Sequence, residues 1–406
     1  MAEPTTARVP VRLAIGLGMI AALGPSAVDM YLSSLPEIAD DFQATFTSVQ
    51  LTLTVFLVAM GAGQLLFGPV VDAYGRRAPL LLGLLTFIVC SLGAAWAPTL
   101  ETLITFRFFQ GLGSALTLVV IMSMVRDVSH GVTATKLFAM LMTIEGLAPI
   151  LAPALGGYID SLFGWRAVML VLALMGVAVL FNSFFSLPET LAHDKREPLR
   201  LKAACRTYLV IANDKKFLLP TLAVASVFFF LFAYVGGATL IYQKVYGLSA
   251  RNFGLVFGAT GITILFGAML AGKMVSRFGL GKLSLLGVAL MPAGAFVALG
   301  SAWMDLGLVG VVCGMAIALF GLGIAESALI SLVMSSQERA LGSTAALLGA
   351  FQLSVSSAAT PLAGLAVEYG ATPWLALLAA SAVVVCVLTK ISVPDAANET
   401  YDLAGH

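Results

Sequence analysis

Apolar runs of about 20 residues recur along this chain from its first segment to its last, separated by short polar stretches. Each is long enough to cross the roughly 30 Å hydrocarbon layer of a bilayer as a helix. The pattern predicts an all-α membrane protein of twelve transmembrane helices. These spans run over approximately 12–34, 48–71, 79–97, 101–125, 135–159, 165–187, 217–242, 251–275, 281–302, 306–333, 341–367 and 372–393.

The one substantial polar insert, 188–216, carries Asp194-Lys195-Arg196-Glu197-Pro198 and Asn213-Asp214-Lys215-Lys216. It divides the chain into a six-helix bundle over 1–187, a linker over 188–216 and a second six-helix bundle over 217–406. Basic residues favour the cytoplasmic side of a membrane. All Lys and Arg except Arg166, Lys244, Arg251 and the intraspan Arg107 fall on the side of the termini and linker. The termini and linker are therefore expected to be cytoplasmic, as an even helix count requires. A weak repeat relates the halves. Gly68-Pro69-Val70-Val71-Asp72-Ala73-Tyr74-Gly75 follows span 2, and Gly272-Lys273-Met274-Val275-Ser276-Arg277-Phe278-Gly279 follows span 8, 204 residues later.

Composition adds to this. The 406 residues are 60% hydrophobic and 11% charged, with mean hydropathy +1.00. A soluble domain carries about a quarter charged residues. The net charge of +1 gives no reason to expect nucleic acid. Cys90, Cys205, Cys313 and Cys386 lack C-x-x-C spacing, so neither a disulfide framework nor a metal site is expected. His130, His193 and His406 fall in loops or the tail, which argues against a buried histidine relay. Residues 1–10 are too polar for a cleaved signal peptide. No G-x-x-x-x-G-K-[ST] loop appears, and Gly111-x-Gly113 lacks the strand context of a nucleotide fold. An enzyme is not expected, nor any cofactor beyond protons as coupling ion.

Three acids interrupt the apolar runs: Asp29, Glu145 and Glu326. Ionisable groups in hydrocarbon are costly and usually mark an ion or substrate path. Asp29 and Arg107 lie at similar depth toward the outer side, so they form either a titrating couple or a static ion pair. Glu145 shares a helical face with the small residues Ala148, Ala152 and Gly156, where it either looks into a cavity or is pressed on a neighbour. Glu326, near the cytoplasmic end of span 10, either serves transport or snorkels to the interface. Candidate pocket residues by depth are Tyr31, Phe56, Phe232, Tyr234 and Gln352, with Glu145; the alternative for the aromatics is packing or lipid contact. Arg126 is the expected partner of Asp72.

Certain motifs resemble those of the major facilitator superfamily. Gly68-x-x-x-Asp72-x-x-Gly75-Arg76-Arg77 is similar to its signature between helices 2 and 3. Leu103-x-x-x-Arg107-x-x-Gln110-Gly111 resembles the helix 4 motif, and Ala152-Pro153-Ala154-Leu155-Gly156-Gly157 the antiporter motif, with alanine in place of a glycine. Asp29-Met30-Tyr31-Leu32, Leu35-Pro36, Gln64-Leu65-Leu66-Phe67-Gly68-Pro69, Arg126-Asp127, Gly164-Trp165-Arg166 and Leu187-Pro188-Glu189-Thr190 resemble the bicyclomycin/chloramphenicol resistance drug:proton antiporters. The similarity is dense in the first half and thin in the second. Glu145 and Glu326 depart from the family pattern, which usually has small or neutral residues there.

The resemblance implies the major facilitator fold, two pseudo-symmetric six-helix bundles around a central site. It also implies a monomeric bacterial inner-membrane exporter that trades a small-molecule substrate for protons. Gly68, Asp72, Gly75, Arg76, Arg77 and Arg126 would then form a latch broken as the halves rock, with plain positive-inside anchoring the alternative for the two arginines. Two other functions remain open: a proton-coupled transporter of one metabolite such as a nucleoside, amino acid or siderophore, and a transport-dead receptor or passive channel.

Overall fold

A computed structural model describes residues 11–129, 131–196, 198–336 and 341–402; His130, Glu197 and His406 lie outside the described residues. Thirteen α-helices account for nearly all of it. They are α1 Val11–Asp29, α2 Leu35–Asp41, α3 Phe46–Tyr74, α4 Arg77–Ala95, α5 Leu100–Val128, α6 Gly131–Phe163, α7 Trp165–Ser186, α8 Leu201–Ala212, α9 Lys215–Leu240, α10 Ala250–Trp303, α11 Gly307–Ser335, α12 Leu341–Glu368 and α13 Ala371–Asp402.

Among the described residues, eleven helical segments are long and apolar enough to span a membrane. One of them, α10, is 54 residues long and breaks at Gly279, whose φ of 73° is left-handed. Its limbs 250–278 and 280–303 both pack on α11. A β-carbon on Gly267 would strike the Phe320 carbonyl of α11, and one on Gly287 would meet the Ala325 amide of the same helix. Counting the limbs separately gives the twelve expected spans. The other repeat glycine, Gly75, also has positive φ, 89°. Equivalent turns therefore close the second and eighth spans, which is the structural content of the sequence repeat. Small residues let backbones touch where the bilayer provides no hydrophobic drive between helices.

The first span ends earlier than the expected residue 34. α1 stops at Asp29; a 3₁₀ turn at Leu32–Ser34 and short α2 then carry the chain across the end of the bundle. Pro36 explains the break, because it starts α2 instead of prolonging α1. The linker also differs from expectation, since it contains α8, packed on α3, α9 and α12. Tyr208 and Ile211 face the protein while Leu209 and Val210 are exposed.

The helices before and after the linker form two lobes. At the end opposite the linker, the far end, they are sealed together. Lys244 Nζ pairs with Asp40 Oδ2 at 2.6 Å, and Gln243 Nε2 donates to the Ser33 carbonyl at 3.0 Å. α6 and α10 touch backbone to backbone: a β-carbon on Gly157 would strike the Ala250 carbonyl, and one on Gly254 the Pro153 carbonyl. Deeper in, α3 meets the second lobe through Gln50 Nε2 to the Gly236 carbonyl (2.5 Å) and Thr54 to Thr360 (2.7 Å).

Candidate functional site

Asp29 closes α1, and its residue is 7% exposed, with no hydrogen bond or ion pair to it among the described residues. The carbonyl of the next residue, Met30, packs on Gly156 of α6. Asp29 therefore belongs to the far half of the bundle.

Arg107 lies at the expected depth, but the ion pair with Asp29 is not formed. Its guanidinium is fully buried between two rings, 4.5 Å from the centre of Tyr31 and 4.4 Å from that of Phe56. Arg107 Nη1 donates to Gln110 Oε1 at 2.7 Å. Gln110 Nε2 donates in turn to Ser91, whose hydroxyl donates to the Phe87 carbonyl. Spacing of three residues on one helix puts Arg107 and Gln110 on a common face. Among the described residues, Nε and Nη2 of Arg107 have no acceptor.

Glu145 and Glu326 come from different lobes and share one depth. On α6, Gly146 packs near Leu265; on α11, Gly323 packs on Ile264 and Ala268. The two carboxyls thus flank about one turn of α10. Each is partly exposed and lies across its helix from residues that face outward: Leu147 and Leu151 for Glu145, Cys313 and Ile317 for Glu326. Both therefore face into the bundle, away from those outward residues. Gly156 and Glu145 are eleven residues apart on one helix, so this tier lies about 16 Å from Asp29 toward the linker end.

The expected pocket residues pack more tightly than their depth suggested. Tyr31 and Phe56 are fully buried around Arg107, and Tyr234 is 1% exposed in an aromatic cluster with Tyr242, Phe257 and Trp374. In this conformation none of the three lines open space, since flat rings have been used to fill the sealed far half. Phe232 and Gln352 are buried at 9% exposure, and the Gln352 amide nitrogen has no acceptor among the described residues.

The hairpin between α3 and α4 differs in its partners. Asp72 pairs with Arg76 (2.7 Å), and Arg76 Nε also binds Asp127 Oδ2 (2.8 Å). Arg126, the expected partner of Asp72, is exposed and donates to Ser123. One residue turns a helix by about 100°, and it is Asp127 that faces the hairpin. Thr190 donates to Asp127, while Glu189 accepts from the Arg76 and Arg77 amides at the start of α4. An acid there also suits the helix dipole. A β-carbon at Gly75 would meet the Glu189 carboxylate, so Gly75 is needed for space as well as for its positive φ. Burial pushes the Glu189 carboxyl up, but the Arg76, Leu191 and Arg77 amides and the Arg196 charge outweigh it and hold the group below its ordinary range. Burial likewise opposes the Arg76 charge, yet Asp127 and Asp72 hold that guanidinium above its ordinary value. Arg77 donates to the Phe184 carbonyl and stacks on its ring. A β-carbon on Gly68 would meet the Tyr208 hydroxyl at 3.7 Å, an ordinary contact.

Asp127, Glu189, Gln110 and Ser91 join the site without a role expected from the sequence. The first three lie inside motifs already quoted, so their positions were marked but their contacts were not. Ser91 carried no signal.

Residues 17–361 match the profile of the Major Facilitator Superfamily. The chain is 36% identical over 390 residues to the uncharacterized MFS-type transporter YdgK of Bacillus subtilis, covering 95% of this chain and 96% of that one. It is 32% identical over 291 residues to the bicyclomycin resistance protein homolog of Haemophilus influenzae, covering 72% and 73%. The crystal structure of the D-xylose-proton symporter superposes with a TM-score of 0.75 at 15% identity, covering 95% of this chain and 98% of that one, a likeness of fold alone.

Proposed function

The chain belongs to the Major Facilitator Superfamily, and we propose that within it this protein is a proton-coupled exporter of small amphipathic molecules. The reading places it as a monomer in a bacterial inner membrane, with the linker end in the cytoplasm. The observation that carries it is the two-tier arrangement of carboxyls with no ion pair among the described residues, Asp29 in the sealed half and Glu145 with Glu326 some 16 Å nearer the cytoplasm. A structural acid in a membrane is normally paired; an unpaired one is suited to gaining and losing a proton. The resistance protein among the relatives supports a drug-like substrate.

In the proposed cycle, the outward-open state exposes Asp29 to external protons. Neutralisation lowers the cost of closing the far end over a formerly charged side chain, and the halves rock to the state described here. Substrate entering from the cytoplasm meets Glu145 and Glu326, which suit a cationic group. Return outward with substrate favours loss of the proton. Each net charge moved gains about 2.3 kcal/mol per 100 mV of membrane potential. Arg76, held by Asp72 and Asp127, keeps the α3–α4 hairpin rigid while the lobes move.

Proteoliposomes with an imposed pH gradient test the proposal. Uphill movement of structurally diverse amphipathic compounds against a proton flux is expected. Strict exchange of one metabolite, with no drug movement under either gradient, would reject it in favour of a dedicated transporter.

A further inference from the structure

The linker helix α8 has two faces of different chemistry. At about 100° per residue, Tyr208 and Ile211 share the arc turned toward the bundle. There Tyr208 donates to the Leu65 carbonyl of α3, and Ile211 is buried. On the opposite arc Lys202 and Arg206 fall between Leu209 and Val210. All four are exposed, Leu209 to 64% and Val210 to 67%. Leu199, Arg200 and Leu201, at the start of the helix, are exposed as well. The stretch 198–213 holds three basic residues and no acid. Large apolar side chains left uncovered beside a cluster of cations mark a surface that meets a partner.

The height of α8 identifies that partner. Leu65 lies six residues before the end of the span expected over 48–71, about 9 Å at 1.5 Å per residue. A β-carbon on Gly68, one turn nearer that end, would also meet the Tyr208 hydroxyl. α8 therefore lies alongside the linker-side end of a membrane-spanning helix and not beyond it. This is the layer where lipid headgroups meet acyl chains, and amphipathic helices settle about 5–10 Å into it. Lys and Arg there lay their stems on apolar surface while their charges reach outward. A positive face suits the negative surface of an anionic leaflet.

We propose that the outward face of α8 binds anionic phospholipid of the leaflet on the linker side. Lys202 and Arg206 hold the phosphate, and Leu209 and Val210 cover the first methylenes of the acyl chains. α8 packs on α3 of one lobe and on α9 and α12 of the other, so lipid held there acts on an element common to both. The proposal does not depend on which compounds the protein transports.

Thermal unfolding of the full-length protein in dodecyl maltoside, with lipid titrated in, reads this binding. Phosphatidylglycerol should raise the unfolding midpoint along a saturable curve, and phosphatidylcholine should raise it little. Lys202→Gln combined with Arg206→Gln should need at least about tenfold more phosphatidylglycerol for the half-effect, because each basic residue near an anionic surface contributes roughly fivefold. Leu209→Ser combined with Val210→Ser is the second, independent variant and should raise the half-effect concentration several-fold. An unchanged half-effect concentration in either folded double variant overturns the proposal. Inorganic phosphate at matched ionic strength should not replace the lipid. A shift from phosphate or from phosphatidylcholine equal to that from phosphatidylglycerol would overturn the assignment to anionic lipid.

Discussion

The Tyr208 hydroxyl donates to the Leu65 carbonyl at 3.2 Å. Leu65 is four residues before Pro69, which has no N–H to give, so α3 leaves this carbonyl without its helical donor. A side chain from the linker fills the gap, and in doing so straps α8 across α3 and α12, one from each lobe. Tyr208→Phe removes the donor while keeping the ring. Thermal unfolding should show a loss of about 1 kcal/mol, the usual net worth of one hydrogen bond, and an unchanged transition would mean that α8 is not held there.

Within the hairpin the partners are unequal. The Asp127 side chain is 16% exposed and that of Asp72 is 50% exposed, while Arg76 lies between them at 6%. Asp127→Asn should therefore slow transport turnover more than Asp72→Asn, with substrate affinity unchanged in both, and Arg126→Ala should affect neither. Initial rates and binding isotherms for the three variants decide the order. A larger effect from Asp72→Asn would reverse the assignment.

Glu189 gives the hairpin a pH dependence. Its carboxyl is held below the ordinary range in the folded protein. Its stabilising effect is thus fully present above about pH 4 and is lost as pH falls through the folded-state value. Glu189→Gln should flatten this acid limb of the stability profile and leave the neutral region lower but level. Melting temperatures measured from pH 7 down to 3 would show it; an acid limb as steep as that of the parent would exclude Glu189 as its source.

Glu145 and Glu326 differ in lobe and share a depth, so they should act together on a cation. Glu145→Gln or Glu326→Gln is expected to weaken tetraphenylphosphonium binding about tenfold, or 1.4 kcal/mol, and to leave the uncharged bicyclomycin unaffected. Equal loss for both compounds would point to a packing role instead.

The architecture was readable because membrane spans obey a length rule that sequence displays directly. The paired glycines Gly75 and Gly279 are the clearest case: a repeat seen only as letters became two left-handed turns. What was not readable depended on rotation and on contacts distant in sequence. Arg126 and Asp127 are adjacent, and only the phase of α5 decides which one meets Arg76. The α8 helix was hidden because its protein-facing residues Tyr208 and Ile211 are few and lie among charges. Arg107 departs from expectation for another reason: opposite charges at equal depth suggest a pair, whereas in the structure aromatic faces hold the cation.

The central claim is that Asp29 is where the transported proton binds, and its most direct measurement compares two modes of transport in one variant. Asp29→Asn, reconstituted in vesicles, should exchange labelled tetraphenylphosphonium across the membrane yet fail to concentrate it under an imposed pH gradient. A variant that still concentrates the cation, with the pH dependence of the parent, would contradict the account.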